Sequence, residues 1–155
     1  MTSYGPGQGP GPVGLSDREA SDLIAAGTFG TLATVKRSGH PHMSTVVFAW
    51  DEAGRTIRVS TTADRVKVRQ LRNDPRAALH VSSDDHMSFA VAEGNAELSE
   101  VASEAGDAVS RELLAMMGGF PDPADEAAFL EQMVKDRRVV IRLRVDRLYG
   151  TSLGR

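Results

Sequence analysis

The chain contains no cysteine. Disulfides, thiolate nucleophiles and cysteine-ligated zinc are thereby excluded together, and the composition suits a reducing cytoplasm. Aromatic residues are scarce, at 5% with a single tryptophan, too few for the stacking platforms on which RNA and single-strand binders rely. Positive charge is not in excess either. The net charge of −3 does not suit a protein that coats nucleic acid or an anionic membrane. No apolar run approaches the roughly 20 residues of a membrane helix. The N-terminus lacks the charged start and apolar run of a signal peptide, and no G-x-S-x-G motif marks a hydrolase nucleophile. What remains is ordinary for a globular domain: 155 residues, 41% apolar and 25% charged, enough for one domain with its own core.

The first stretch, MTSYGPGQGPGPVG, is rich in Gly and Pro and reads as a flexible tail over residues 1–14, leaving residues 15–155 as a single domain. Ser16 followed by Glu19 forms a capping box, and Gly27 is a natural stop, so a short helix opens the domain. The period then changes to two. Thr28 to Lys36, His42 to Trp50 and Thr56 to Thr61 alternate apolar and polar residues across the turns RSGHP and DEAGR, which predicts three hairpin-linked strands. A helix over about Ala63–Asn73 follows, ended by Pro75. Ala77–Ser82 and Met87–Ser99 give two more strands. The segments ASEAGDAVSRELLAMM and ADEAAFLEQMVKD are helical by composition, and RRVVIRLRVDRLYG is the last strand. Six strands and about four helices in this order exclude a βαβ repeat and predict a mainly β, antiparallel barrel.

The stretch STTADRVKVRQLRNDPR, residues 60–76, places three hydroxyls at a strand end and basic residues on the helix and turn that follow. With Thr61 or Thr62 as N-cap, the next amides lack intrahelical partners and attract an anion. Arg65 and Lys67 can add charge-assisted bonds to phosphate oxygens. The same residues also suit an ordinary capped helix with a solvated basic face, and sequence alone leaves both open.

Other clusters carry less. His40, His42, His80 and His86 have no carboxylate at a ligand spacing, so no metal site is expected. Asp84, Asp85, Glu93 and Glu97 read as turn and strand-surface solvation. Leu113, Leu114, Met116, Met117 and Phe120 read as packing, or as the wall of an apolar substrate pocket.

The ordered run GTLATVKRSGHPHMSTVVFAWD, VSTTADRVKVRQLRNDPRAALHV, DDHMSFAVAEGNAEL and MVKDRRVVIRLRVDRLYG resembles the split β-barrel flavin and deazaflavin oxidoreductases of the pyridoxamine 5′-phosphate oxidase-like superfamily. Within it, the chain is most similar to the actinobacterial branch that binds coenzyme F420. The resemblance covers about Leu15 to Gly150. It implies a six-stranded split barrel, a homodimer and a cofactor in a groove at the subunit interface. It also implies that Ser60, Thr61, Thr62, Arg65 and Lys67 hold the cofactor phosphate, and that His42 and Ser44 border the ring and sugar-like chain. His86, Met87 and Ser88 would then approach from the other subunit. Several relatives carry an aromatic residue where Met87 stands. The implied activity is hydride transfer from reduced F420 to a conjugated acceptor such as a quinone, an enone or a biliverdin-like tetrapyrrole. The implied alternatives are an FMN-dependent oxidoreductase and a non-catalytic flavin, deazaflavin or tetrapyrrole carrier. Oxidation of pyridoxamine phosphate is disfavoured, because the C-terminal DRLYGTSLGR offers Arg147 and Arg155 but no histidine for a second phosphate site. No catalytic side chain is identified.

Overall fold

The structure, a computed structural model, describes residues 3, 5–9 and 11–153. Seven strands and four helices occur among them. In chain order they are β1 (Val13–Gly14), α1 (Asp17–Ala26), β2 (Phe29–Val35), β3 (Pro41–Asp51), β4 (Thr56–Thr62), α2 (Val66–Asn73), β5 (Arg76–Ser82), β6 (Ser88–Leu98), α3 (Ala108–Met116), α4 (Pro123–Lys135) and β7 (Arg138–Ser152). Strands β2 to β7 form one antiparallel sheet in the order β7-β4-β3-β2-β5-β6, and a β6–β7 pairing closes it into a six-stranded barrel. The alternation seen in the sequence fills its interior. Leu32, Val46, Phe48, Ile57, Val59, Leu79, Val81, Ile141 and Leu143 all point inward and are buried. Each such side chain stabilises the fold by roughly 1.5–3 kcal/mol. A second, smaller cluster joins Val109 and Leu113 of α3 and Met133 of α4 to Val140 on the outside of β7.

Three boundaries differ from the sequence reading. Val13 and Gly14, expected at the end of the tail, pair with Ser152 and Thr151 of β7. Strand β4 follows β7 only as far as Arg144, so the later part of that edge is open to another strand. Helix α2 starts at Val66, not Ala63, and its N-cap is Arg65 rather than Thr61 or Thr62. The reason is that β4 keeps pairing with β7 through Thr62, which delays the helix. Helix α3 starts at Ala108, not near Ala102, because Gly106 sits at φ +90° and Asp107 caps the helix by accepting from the Ser110 amide. The capping box at Ser16 and Glu19 is present.

Two features of the barrel wall position the site. Strands β3 and β4 pair only from Phe48 to Asp51, opposite Val59 to Thr56. Before Phe48 they part, and the wall is split. The Phe48 amide donates to the Thr28 carbonyl, so in this ladder the even residues of β3 bond to β2. Met43, Thr45 and Val47 therefore turn their backbone groups toward the split. The second feature is an apolar outer face. Cross-strand register lines up Thr45, Thr31, His80, Val91 and Tyr149 across five strands. On the same face Phe29, Met43 and Val47 are 63%, 62% and 56% exposed.

Candidate functional site

Helix α2 lies beside the split, between β4 and β5 in the chain. It is amphipathic at short range. Val68 and Leu71 are buried beneath it, and the Thr34 hydroxyl donates to the Gln70 side-chain oxygen at 2.6 Å, fixing the helix to β2. No side chain caps its N-terminus, and the Val66 and Lys67 amides have no partner among the described residues. Such amides, at the positive end of the helix dipole, favour an anion.

The cations here are set apart from most of those elsewhere, although Arg111, Lys135 and Arg137 also lack an ion pair among the described residues. Eight arginines in the rest of the chain each lie within 4.0 Å of a carboxylate. Lys36, Arg37, Arg65, Lys67, Arg69 and Arg72 have no such ion pair among the described residues. Arg69 donates only to the Asp64 carbonyl, at 3.2 Å. Lys67 is half-buried, and burial first, then the neighbouring Arg65 charge, pushes its ammonium below the usual lysine range. The Asp64 carboxyl, held low first by the Thr62 hydroxyl, also feels the Arg65 and Arg69 charges. No carboxylate acts on Lys67, and the two like charges of Lys67 and Arg65 make a site that an anion would relieve.

The predicted residues fall into two groups. His42 and Ser44 lie on the inner face of β3, opposite Thr34 and Leu32. Their Nδ1 and Oγ atoms are buried and have no hydrogen-bond partner among the described residues. Such orphans are uncommon, and here they sit at the end of the barrel that α2 covers. His42, Arg69, Gln70, Lys36 and Arg37 line a groove of about 560 Å³. The three hydroxyls of β4 do not converge. Thr61 is buried in the interior, the Ser60 oxygen accepts from Arg138 at 3.4 Å, and Thr62 donates to Asp64 at 2.7 Å. Arg65 is exposed at the helix start.

His86, Met87 and Ser88 form the second group, at the opposite end of the barrel. The β2–β5 register places Thr31 by His80 and Thr34 by Ala77. The turn after Ser82 therefore lies near Phe29, about five residues or ~17 Å from His42 along the strands. His86 adopts φ +61° and its Nδ1 meets the Ser82 hydroxyl at 2.9 Å. Ser88 donates to the Ser152 hydroxyl at 2.7 Å, and Met87 is 43% exposed. One chain by itself does not bring the two groups together.

Sequence reasoning missed Lys36 and Arg37 as groove residues. Lys36 reads as a strand end and Arg37 as a turn residue, and only the three-dimensional closeness of the β2–β3 turn to α2 reveals them. The remaining candidates are structural. Asp85 accepts from Ser83 and the Met87 amide, Glu97 pairs with Arg142 and Arg144, and Glu93 faces Arg147. Leu113 packs in the helix cluster and Phe120 tilts against Phe129. Among the described residues, no three His, Asp or Glu side chains gather as a metal site.

A closed six-stranded barrel, split between β3 and β4 and with a cationic helix beside the split, defines the class of split-barrel proteins of the flavin type. Within that class the chain belongs to the pyridoxamine 5′-phosphate oxidase family, whose pattern it matches over residues 16–152. Solved structures share the fold. The conserved hypothetical protein Rv2991 from Mycobacterium tuberculosis is 26% identical, with TM-score 0.68 over 89% of this chain and 85% of that one. A protein described as an F420 reductase is 26% identical, with TM-score 0.58 over 83% and 94%. A heme binding protein from Mycobacterium smegmatis is 25% identical, with TM-score 0.59 over 88% of this chain and 54% of that one.

Proposed function

We propose that this protein is an F420-dependent oxidoreductase acting on a conjugated acceptor such as a quinone, an enone or a biliverdin-like tetrapyrrole. The observation that carries the reading is the set of unpaired cations at the start of α2, next to buried polar atoms of His42 and Ser44 that have no partner. Both are what a phosphate-tailed, hydrogen-bonding ring system requires, and a 26% identical neighbour is itself described as an F420 reductase.

In this reading Arg65, Lys67 and the open amides of α2 hold the phosphate. Ser60 and Thr62 contribute once they exchange Arg138 and Asp64 for phosphate oxygens, and Thr61 supports the strand from inside. His42 and Ser44 bond the polar edge and side chain of the cofactor. The backbone groups of Met43, Thr45 and Val47 at the split fix the ring plane. The cofactor supplies the hydride chemistry when bound. The protein binds, orients and excludes water, so the absence of a catalytic triad or dyad is no obstacle.

A second copy of the chain covers the outer face that carries Phe29, Met43 and Val47. An isologous contact brings His86, Met87 and Ser88 of one copy toward the α2 end of the other, which completes the site. Partners beyond that are small molecules, without nucleic acid or membrane. No described helix is long and apolar enough to cross a bilayer. The lack of cysteine supports a cytoplasmic location.

The test is calorimetric titration of the full chain with F420 and, separately, with FMN, followed by oxidation of the reduced cofactor in the presence of an acceptor panel. Trp50 is a poor reporter, because its indole is tied to Ser21 at the far end of β3. Tight F420 binding with acceptor-dependent oxidation is expected. Preference for FMN moves the protein to the flavin branch, and binding without turnover leaves it a carrier.

A further inference from the structure

A pocket of about 470 Å³ opens on the outer face, where β2 ends and β5 begins. Its floor is made of small apolar groups, chiefly Ala33, Val35, Pro41 and Ala78, and its rim carries Arg76, Glu93, Asn95 and Asp146. A register shift creates it. Glu93 of β6 pairs with Arg147, but Gly94 pairs with Val145. Asp146 is left without an opposite residue and is turned out by this bulge. Gly94 permits the close approach, since a Cβ there would collide with the Arg144 carbonyl.

The charges of the rim decide the sign of the ligand. Arg76 is held by Asp74 at 2.7 Å, and Glu93 faces Arg147 at 3.6 Å. Each pair is close to neutral. The Asp146 side chain has no hydrogen bond or ion pair among the described residues. The rim therefore carries one uncompensated negative charge beside an apolar floor. We infer that this pocket binds an organic monocation with a flat apolar body, an aryl amidinium or aryl ammonium, with Asp146 as its counter-ion. An amidinium can meet a carboxylate through two parallel hydrogen bonds, and the alanine floor leaves room for a ring. Val35 also lines the groove beside α2, so the two sites are neighbours across the end of β2. The inference does not rest on the redox reading, but since Ala33 pairs with Met43 it needs a second copy seated on Phe29, Met43 and Val47 to leave this end of β2 open.

The experiment is an NMR titration of the full chain with benzamidine and with its neutral analogue benzamide. Benzamidine is expected to shift the amides of Ala33, Ala78, Asn95 and Asp146, and to bind about fivefold more tightly than benzamide, as for a partly exposed charge pair. Asp146→Asn is expected to remove that preference and to leave the melting temperature unchanged. Ala78→Leu, which fills the floor, is expected to abolish binding of both compounds. Equal binding of the two compounds, wild-type behaviour of Asp146→Asn, or absence of shifts at these amides overturns the proposal. So does dissociation of a dimer by Asp146→Asn, which would show that a basic side chain of a second copy fills the pocket. A failure to bind F420 would leave these outcomes unaffected.

Discussion

Lys67 illustrates what one residue is arranged to do. Its ammonium is half-buried beside Arg65 with no carboxylate, and burial lowers its pKa before the Arg65 charge adds to the effect. For a base whose folded pKa is lowered, the charge costs stability at every pH below that folded value. The cost disappears as pH climbs through it toward the ordinary value of about 10.4. Lys67→Met should therefore melt slightly higher than wild type at neutral pH, by no more than about 2 °C. The gap should close on titration toward about pH 11, as calorimetric scans would show. The same substitution should weaken binding of a phosphate-tailed cofactor. In the double variant Arg65→Ala, Lys67→Ala the loss should reach about 3 kcal/mol or more, since each charge-assisted bond contributes roughly 1.5–3 kcal/mol. Unchanged affinity would place the phosphate elsewhere. Arg65 and Lys67 were legible in the sequence because charge and spacing along one segment suffice to suggest them. The unpartnered atoms of His42 and Ser44 were not, because a missing partner is a property of space and leaves no mark on an alternating strand.

At the scale of elements, the bulge and the caps carry the constraints that composition hides. The sequence ASEAGD looks helical, yet Asp107 accepts from the amides of Ser103, Glu104 and Ser110, and this turn stops the helix from starting earlier. Those amide bonds hold the Asp107 carboxyl well below the usual carboxylate range. A carboxyl with a lowered folded pKa stabilises the protein above its unfolded pKa, and that contribution is lost as pH falls toward the folded value. Asp107→Ala should cost about 1–2 kcal/mol at neutral pH, and the difference from wild type should shrink below about pH 4. Urea unfolding at the two pH values measures both. The register shift at Gly94 had no local signal beyond the glycine itself. Gly94→Ala should destabilise by about 3 kcal/mol, because the added methyl must displace strand backbone. A variant as stable as wild type would mean that β6 and β7 can re-register freely. Glu112 offers a third check on element docking. It accepts from Arg58 at 2.8 Å and from Arg142 at 2.6 Å, tying α3 to the barrel. Glu112→Gln should cost about 2 kcal/mol, seen as a lower urea midpoint.

For the whole molecule, the barrel was readable from hairpin turns and period-two strands, while the particular strand pair that closes it was not. Nothing local announces that β6 and β7 will pair, since they are separated by both α3 and α4. The outer face makes its own prediction. Phe29→Glu should convert a dimer to a monomer by sedimentation without lowering the melting temperature of the monomer by more than about 2 °C, since Phe29 is 63% exposed. Cofactor binding should weaken in parallel, because His86 to Ser88 would no longer reach the site. A monomeric wild type would remove that completion and leave binding to one chain. Strand β7 carries a further consequence. It pairs with β1, β4 and β6, and it is the last of the barrel strands to leave the ribosome. Until it emerges, a nascent chain holds β4 and β6 as two bare edges open to any strand. Folding of the barrel thus has to wait until β7 has emerged, and the interval before that is when a chaperone would have most to do.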